Sequence, residues 1–247
     1  MSDSSWIDRI DHAGGVVELS MNNGPVNTLT SDALFGLRDC IEQLSNDQTV
    51  RAIVLSSPFK VLSAGLNIKE ARTFDSAQQD AIVRGLNEGF LALYACPKPL
   101  ICAINGTAIA GGLFFVLTAD HRISAPKAKF GLAEVRVGVD FPTGPLEIAK
   151  ATLSSNDARR LMLRGQSVDA ETAKNMGIVD LIVAAEDVLL QALKDAAEFA
   201  QIPAKAYASV KYQLRGDVIA KIRMAPPSAN DWFTGETSPA MSKMLGE

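Results

Sequence analysis

An α/β fold with a helical C-terminal region is what this sequence predicts, and three observations predict it. Short runs at residues 52–56 and 99–104 are apolar at nearly every position, as strands are when a sheet is covered on both faces. They alternate with longer segments whose apolar residues recur at helical spacing, the pattern of strand–helix–strand units. From Ser154 onward the pattern is mainly helical, and we divide the chain into a core of residues 1–185 and a helical region of residues 186–247 for packing or oligomerisation.

In order, residues 15–21 alternate as a short strand, and Asn22-Asn23-Gly24-Pro25 stops it with turn chemistry. Thr30 or Ser31 then caps a helix with Leu34, Leu37, Ile41 and Leu44 on one face. After the buried strand at 52–56, the small residues Ser63-Ala64-Gly65 make a turn that opens into a helical segment. Residues 76–94 form an amphipathic helix, and Pro97 and Pro99 force the chain straight into the central strand. That strand turns at Asn105-Gly106 and reaches Gly111-Gly112, with residues 113–117 as a buried helix. A short strand at 121–125 follows, and then a glycine-bounded segment around Glu134. Among the later helices, residues 155–157 read as a cap, Gly165 as a stop, and Asp169 caps a helix ending at Gly177. Residues 186–199, 203–214 and 217–224 continue as helices until Pro226-Pro227. The segment 229–245, with Trp232, Phe233, Met241 and Met244, presents an apolar helical face for the body or for another subunit.

At 247 residues and 47% hydrophobic, the chain is long enough to bury one sizeable core. A net charge of −4 argues against a general nucleic-acid binder. No stretch approaches the roughly eighteen-residue apolar run of a membrane span, and the start MSDSSWIDRIDHAGG is polar and acidic, unlike a signal or transit peptide. We therefore expect a cytoplasmic protein, or a matrix one if a presequence has been removed. Cys40, Cys96 and Cys102 include no C-x-x-C pair, so we expect reduced thiols and no structural metal. His12 and His121 are the only imidazoles; both read as structural or surface groups, which leaves little machinery for a hydrolytic triad.

Two glycine-marked turns and one acid carry the candidate chemistry. Gly106 and Gly111 have P-loop spacing, but Gly112 and Leu113 stand where Lys and Ser/Thr are needed, which excludes nucleotide phosphates. Backbone N–H groups at a helix start still suit a small oxyanion; alternatively, Gly111 and Gly112 serve only close packing. Glu134 lies among apolar residues, where partial desolvation raises a carboxyl pKa toward the range useful for proton transfer; an ion pair with Arg136 is the other reading. Asp140 and Glu147 read as loop and helix-surface groups.

Taken in order, the segments NNGPVNTLT, KVLSAGLNIKEA, CAINGTAIAGG and FGLAEVRVGV resemble the crotonase (enoyl-CoA hydratase/isomerase) superfamily. PVNTLTSDAL, SAGLNIKE and AINGTAIAGGLFFVLTAD are similar in particular to mitochondrial-type 3,2-trans-enoyl-CoA isomerases. The resemblance implies a crotonase-like spiral of ββα units with a helical C-terminal region, assembled as a homotrimer or dimer of trimers. It implies an acyl-CoA thioester as substrate, and neither cofactor nor metal. By position, Ala64 and Gly111 match the two residues whose N–H groups form the family's oxyanion hole. Glu134 matches the second catalytic glutamate of the hydratases, while Phe114 stands where their first would be. That departure favours shifting a 3-enoyl-CoA double bond over adding water. Val26, Ser63, Leu66 and Phe114 are then expected around the acyl thioester, and Lys60, Lys69 and Lys211 are candidates for the CoA phosphates. The alternatives are a hydratase, a thioester hydrolase, or a non-catalytic acyl-CoA- or RNA-binding member of the family. The chain closes Met244-Leu245-Gly246-Glu247, which is no peroxisomal address.

Overall fold

The computed structural model describes residues 6–225 and 232–246. In chain order the elements begin with β1 (Ile7–His12), β2 (Val16–Met21), α1 (Ser31–Asn46), β3 (Ala52–Ser56), β4 (Val61–Ser63), α2 (Ile68–Ala71), α3 (Ser76–Ala95) and β5 (Leu100–Ile104). The middle of the chain supplies β6 (Thr107–Ile109), α4 (Leu113–Thr118), β7 (His121–Ser124), β8 (Lys129–Gly131), α5 (Thr143–Thr152) and α6 (Ser155–Arg164). The rest is β9 (Val168–Asp169), α7 (Ala170–Asn175), β10 (Leu181–Ile182), α8 (Val188–Phe199), α9 (Ala204–Arg223) and α10 (Thr237–Leu245).

One sheet runs β1-β2-β3-β5-β7-β10, parallel throughout except for the β1–β2 pair; a second runs β4-β6-β8-β9. Strand alternation sorts the central strands between two cores. Ile53, Leu55, Leu100, Cys102 and Ile104 face the large core with α1 and α3. Ala52, Val54, Ile101, Ala103 and Ile123 face a smaller one closed by Val188, Ala192 and Ala196 of α8 and by Ala200 just after it. The small residues of α8 let that helix lie close to the sheet.

Local signals are realised where they are strong. Thr30 caps α1, accepting from the Ala33 N–H at 3.1 Å, and Asp169 caps α7, accepting from the Thr172 N–H at 2.8 Å. Gly165 ends α6 in a left-handed conformation. Among the described residues all three cysteines are free thiols, and burial pushes Cys102 up to about 12. His12 sits 2.9 Å from the buried Glu18 carboxylate, and His121 sits 2.9 Å from Asp195 of α8.

Several expectations need correction. β1 escaped the pattern because it is an edge strand with only Ile7 buried, so nothing in its residues alternates. β6 separates the Asn105-Gly106 turn from Gly111, a strand too short to show a period. Glu147, expected on a helix surface, is buried on α5, bridging Lys150 at 3.1 Å and Lys221 of α9 at 2.8 Å. α9 passes through Gly216 without the break placed at 214–217, and α10 begins at Thr237, well after residue 229. The proline stop at Pro226-Pro227, the start of the tail helix at Ala229, and the chain ends at Met1 and Glu247 lie outside the described residues. Among the described residues no helix is long and apolar enough to cross a membrane.

Lys211 is not a surface lysine. It is buried on α9, its ammonium 2.6 Å from Asp120 and donating to the Lys98 carbonyl at 2.9 Å, while Arg215 approaches the same carboxylate at 2.8 Å. Burial holds its pKa below the usual lysine value, with Asp120 opposing the shift. This ion pair joins α9 to the end of the sheet. Lys211→Met is expected to lower stability by about 1–3 kcal/mol, less than a fully broken buried pair because Arg215 still faces Asp120. Acyl-CoA affinity should not change; a urea melt beside a titration with a saturated acyl-CoA checks both.

Candidate active site

A cavity of about 350 Å³ opens where three turns converge: the one after β4, the one before α4, and the 3-10 turn Glu134–Val137. It brings together Val26, Ala64, Leu66, Gly111, Phe114 and Glu134, spread over more than a hundred positions of the chain. The first two turns are pinned side by side. A Cβ on Gly65 would lie 3.1 Å from the Gly111 nitrogen, and one on Gly112 would lie 2.2 Å from the Ser63 carbonyl oxygen, so both glycines are needed for close approach. Ala110, just before Gly111, has a φ of 51°, a strained conformation for a residue with a side chain, costing about 1–2 kcal/mol.

The two turns offer different amides from those expected. The Ala64 N–H donates to the Val26 carbonyl at 3.0 Å and is therefore engaged. Two residues on, the Leu66 N–H has no acceptor among the described residues, and neither does the Gly111 N–H. The donor on the first turn thus passes from Ala64 to Leu66. Ser63 is also corrected. It is fully buried outside the cavity wall, its hydroxyl donating to the Asn27 carbonyl at 2.8 Å and accepting from the Gly65 N–H at 3.2 Å, so it shapes the turn from behind.

Glu134 opens the 3-10 turn with its side chain buried, and its Oε2 has no hydrogen-bond partner among the described residues. Burial pushes its pKa up to about 8, its own backbone N–H offsetting a smaller part. The alternative pairing with Arg136 does not form, since that guanidinium turns outward to the Arg164 carbonyl at 3.1 Å. Glu134 is the only titratable side chain among the described residues that line the cavity. Phe114 is 1% exposed and packs against Phe90 at a tilt and Phe141 edge-on, at centroid distances of 5.3 and 6.5 Å. Lys69 is exposed on α2 next to the lining residue Ile68, whereas Lys60 is exposed but lines nothing here.

Part of the wall comes from further along the chain. Phe141 and Val137 follow Glu134, and Trp232, Met241 and Met244 arrive from the C-terminal segment. The apolar tail was the one legible signal for these last three, with no indication that it would close this cavity. The arrangement holds two unpaired N–H donors and one protonatable carboxyl in an apolar enclosure, which suits removing a proton next to a carbonyl and stabilising the resulting oxyanion.

The profile of the enoyl-CoA hydratase/isomerase family matches residues 11–231. The human mitochondrial enoyl-CoA delta isomerase 1 is 33% identical over 208 residues, 83% of this chain and 69% of that one. The probable enoyl-CoA hydratase echA17 of Mycobacterium avium is 30% identical over 197 residues, 80% of this chain and 77% of that one. Among solved structures, human mitochondrial delta3-delta2-enoyl-CoA isomerase superposes with a TM-score of 0.90 at 27% identity, covering 97% of this chain and 96% of the other.

Proposed function

Since the chain belongs to the enoyl-CoA hydratase/isomerase family and has its crotonase fold, we propose that it moves the double bond of a 3-enoyl-CoA to the trans-2 position, as a step of fatty-acid β-oxidation. The observation that carries this reading is the lone carboxyl among the described residues that line the cavity, Glu134, with Phe114 in the same wall. Hydration asks a site to activate water and also deliver a proton, which favours two carboxyl groups. A double-bond shift needs one base that removes a proton at C2 and returns it at C4. Between the two transfers the dienolate carries negative charge on the thioester oxygen. There the Leu66 and Gly111 N–H groups stabilise it, each by about 3 kcal/mol on the scale of such donors.

Every step is a proton transfer, so neither metal nor cofactor is required, and the CoA thioester is the substrate. Lys69, exposed beside the cavity mouth, is the better placed of the remaining lysines for a CoA phosphate. We further propose a homotrimer or dimer of trimers, supported by the exposed Val210, Tyr212 and Leu214 on α9; sedimentation equilibrium tests it.

The test is product analysis with 3-hexenoyl-CoA, 3-dodecenoyl-CoA and a 2-enoyl-CoA in parallel. Conjugation should appear from the 3-enoyl substrates, with hydration of the 2-enoyl substrate slower by orders of magnitude. Faster hydration would make the chain a hydratase, and binding without turnover a non-catalytic family member. Gly111→Val provides a second check. The first added carbon would lie 2.8 Å from Leu29 Cδ1, beneath the turn that carries Leu66. Turnover is expected to fall about 10²-fold or more while the far-ultraviolet circular dichroism is kept; full activity would remove Gly111 from the oxyanion site.

A further inference from the structure

We propose that Thr237 of α10 is a positioning residue for Glu134, holding the turn that carries it through a hydrogen bond to the Gly138 carbonyl. The proposal rests on the reading of Glu134 as the proton shuttle.

Gly138 closes that turn in a left-handed conformation, with a φ of 69°. Its N–H, and that of Val139 at 3.2 Å, both donate to the Glu134 carbonyl. A shift at Gly138 therefore reaches the Glu134 backbone in one hydrogen-bonded step. Thr237 meets Gly138 there. Its side chain is 1% exposed, and its hydroxyl donates to the Gly138 carbonyl at 2.6 Å while accepting from the Thr234 N–H at 2.9 Å. The contact is close enough that a Cβ on Gly138 would lie 3.2 Å from the Thr237 Cα.

The same C-terminal segment grips the following residues. Phe233 pairs with Val139 in an antiparallel bridge, and the Trp232 indole N–H donates to the Asp140 carbonyl. At its other end α10 reaches the opposite wall, where Ser242 Oγ accepts from Arg72 at 3.1 Å, just past α2. The segment is thus a strap between the Glu134 turn and the wall that carries Leu66. It sets the separation of base and oxyanion donors, and an error of about 1 Å in such a separation costs on the order of 10²-fold in rate. Of the charged groups on the elements packed here, Arg136, Asp140, Arg164, Glu236, Lys243, Lys69 and Glu70 are exposed, and Arg72, bonded to Ser242, is half-buried. With no fully buried charge beside Glu134 among the described residues, a change in its titration reports water reaching it.

The test compares Thr237→Val, which keeps the shape and removes the hydroxyl, with Thr237→Ser, which keeps the hydroxyl, and with Glu134→Gln in parallel. Thr237→Val is expected to lower kcat about tenfold or more with KM within about threefold. It should also move the rising limb of kcat/KM below its wild-type midpoint, as loosening admits water to Glu134; Thr237→Ser should restore both. If Val at 237 prevents folding, Thr237→Cys, a weaker donor, should fall between Ser and Val, and equal kcat for Thr, Ser and Cys overturns the proposal. So does a folded Thr237→Val with wild-type kcat and pH profile, or a Thr237→Ser as impaired as Val. Loss of turnover in Glu134→Gln together with full turnover in Thr237→Val removes only the positioning role. Full turnover in Glu134→Gln removes the reading of Glu134 itself, and the positioning role with it.

Discussion

Replacing Glu134 by Gln should lower isomerase turnover by about 10²-fold or more while leaving acyl-CoA affinity nearly unchanged, because the substitution keeps the shape and removes the base. Two pH effects accompany it. In the wild type, kcat/KM should rise with pH through about 8, the value to which burial pushes Glu134, as the carboxyl loses its proton and becomes a base. The stability effect has the opposite sign. Glu134 titrates near 4.5 in the unfolded chain and near 8 in the folded one, so the folded state holds the proton more tightly. The stabilisation this gives is complete below about 4.5 and is lost as pH rises through 8, at about 1.4 kcal/mol per pH unit. Glu134→Gln has no such titration. Urea melts at pH 5 and pH 8 should therefore show the variant gaining on the wild type by several kcal/mol at the higher pH. A constant difference across that range would mean that Glu134 is solvated, and near-normal turnover would move the proton shuttle to another acid.

Converting Phe114 to Glu should create hydratase activity at the expense of isomerisation, provided the protein still folds. The ring is fully enclosed against Phe90 and Phe141, so losing it removes about 3–5 kcal/mol of packing before the new carboxyl is counted. A second acid in this enclosure must also ionise beside Glu134 or stay protonated. The protonated form is the useful one, since it can deliver a proton while Glu134 activates the admitted water. The expected result is measurable hydration of a 2-enoyl-CoA with isomerisation reduced about tenfold or more. Phe114→Leu, which stays apolar, should retain isomerisation and show no hydration. A thermal melt comes first, and a wild type that hydrates 2-enoyl-CoA faster than it isomerises 3-enoyl-CoA would refute the role given to Phe114.

What the sequence determined by itself is everything set by near neighbours along the chain. The buried strands at 52–56 and 99–104, the caps at Thr30 and Asp169, and the stop at Gly165 follow from periodicity, capping oxygens and a left-handed glycine, all of which act within a few residues. Glu134 was legible for the same reason, as an acid set among apolar residues, and ordered motifs placed Gly111 and Phe114 beside it. Tertiary structure alone decided what each group meets. Whether Ala64 or Leu66 keeps a free amide depends on the Val26 carbonyl, which arrives on a different segment. Lys211 reads like any solvated lysine until α9 packs against Asp120. Edge strand β1 has no buried face to show a pattern, and the closing of the site by Trp232 and Met241 joins residues nearly a hundred positions apart. Hydrogen bonds and burial act through space, and a sequence records them only where space and chain order coincide.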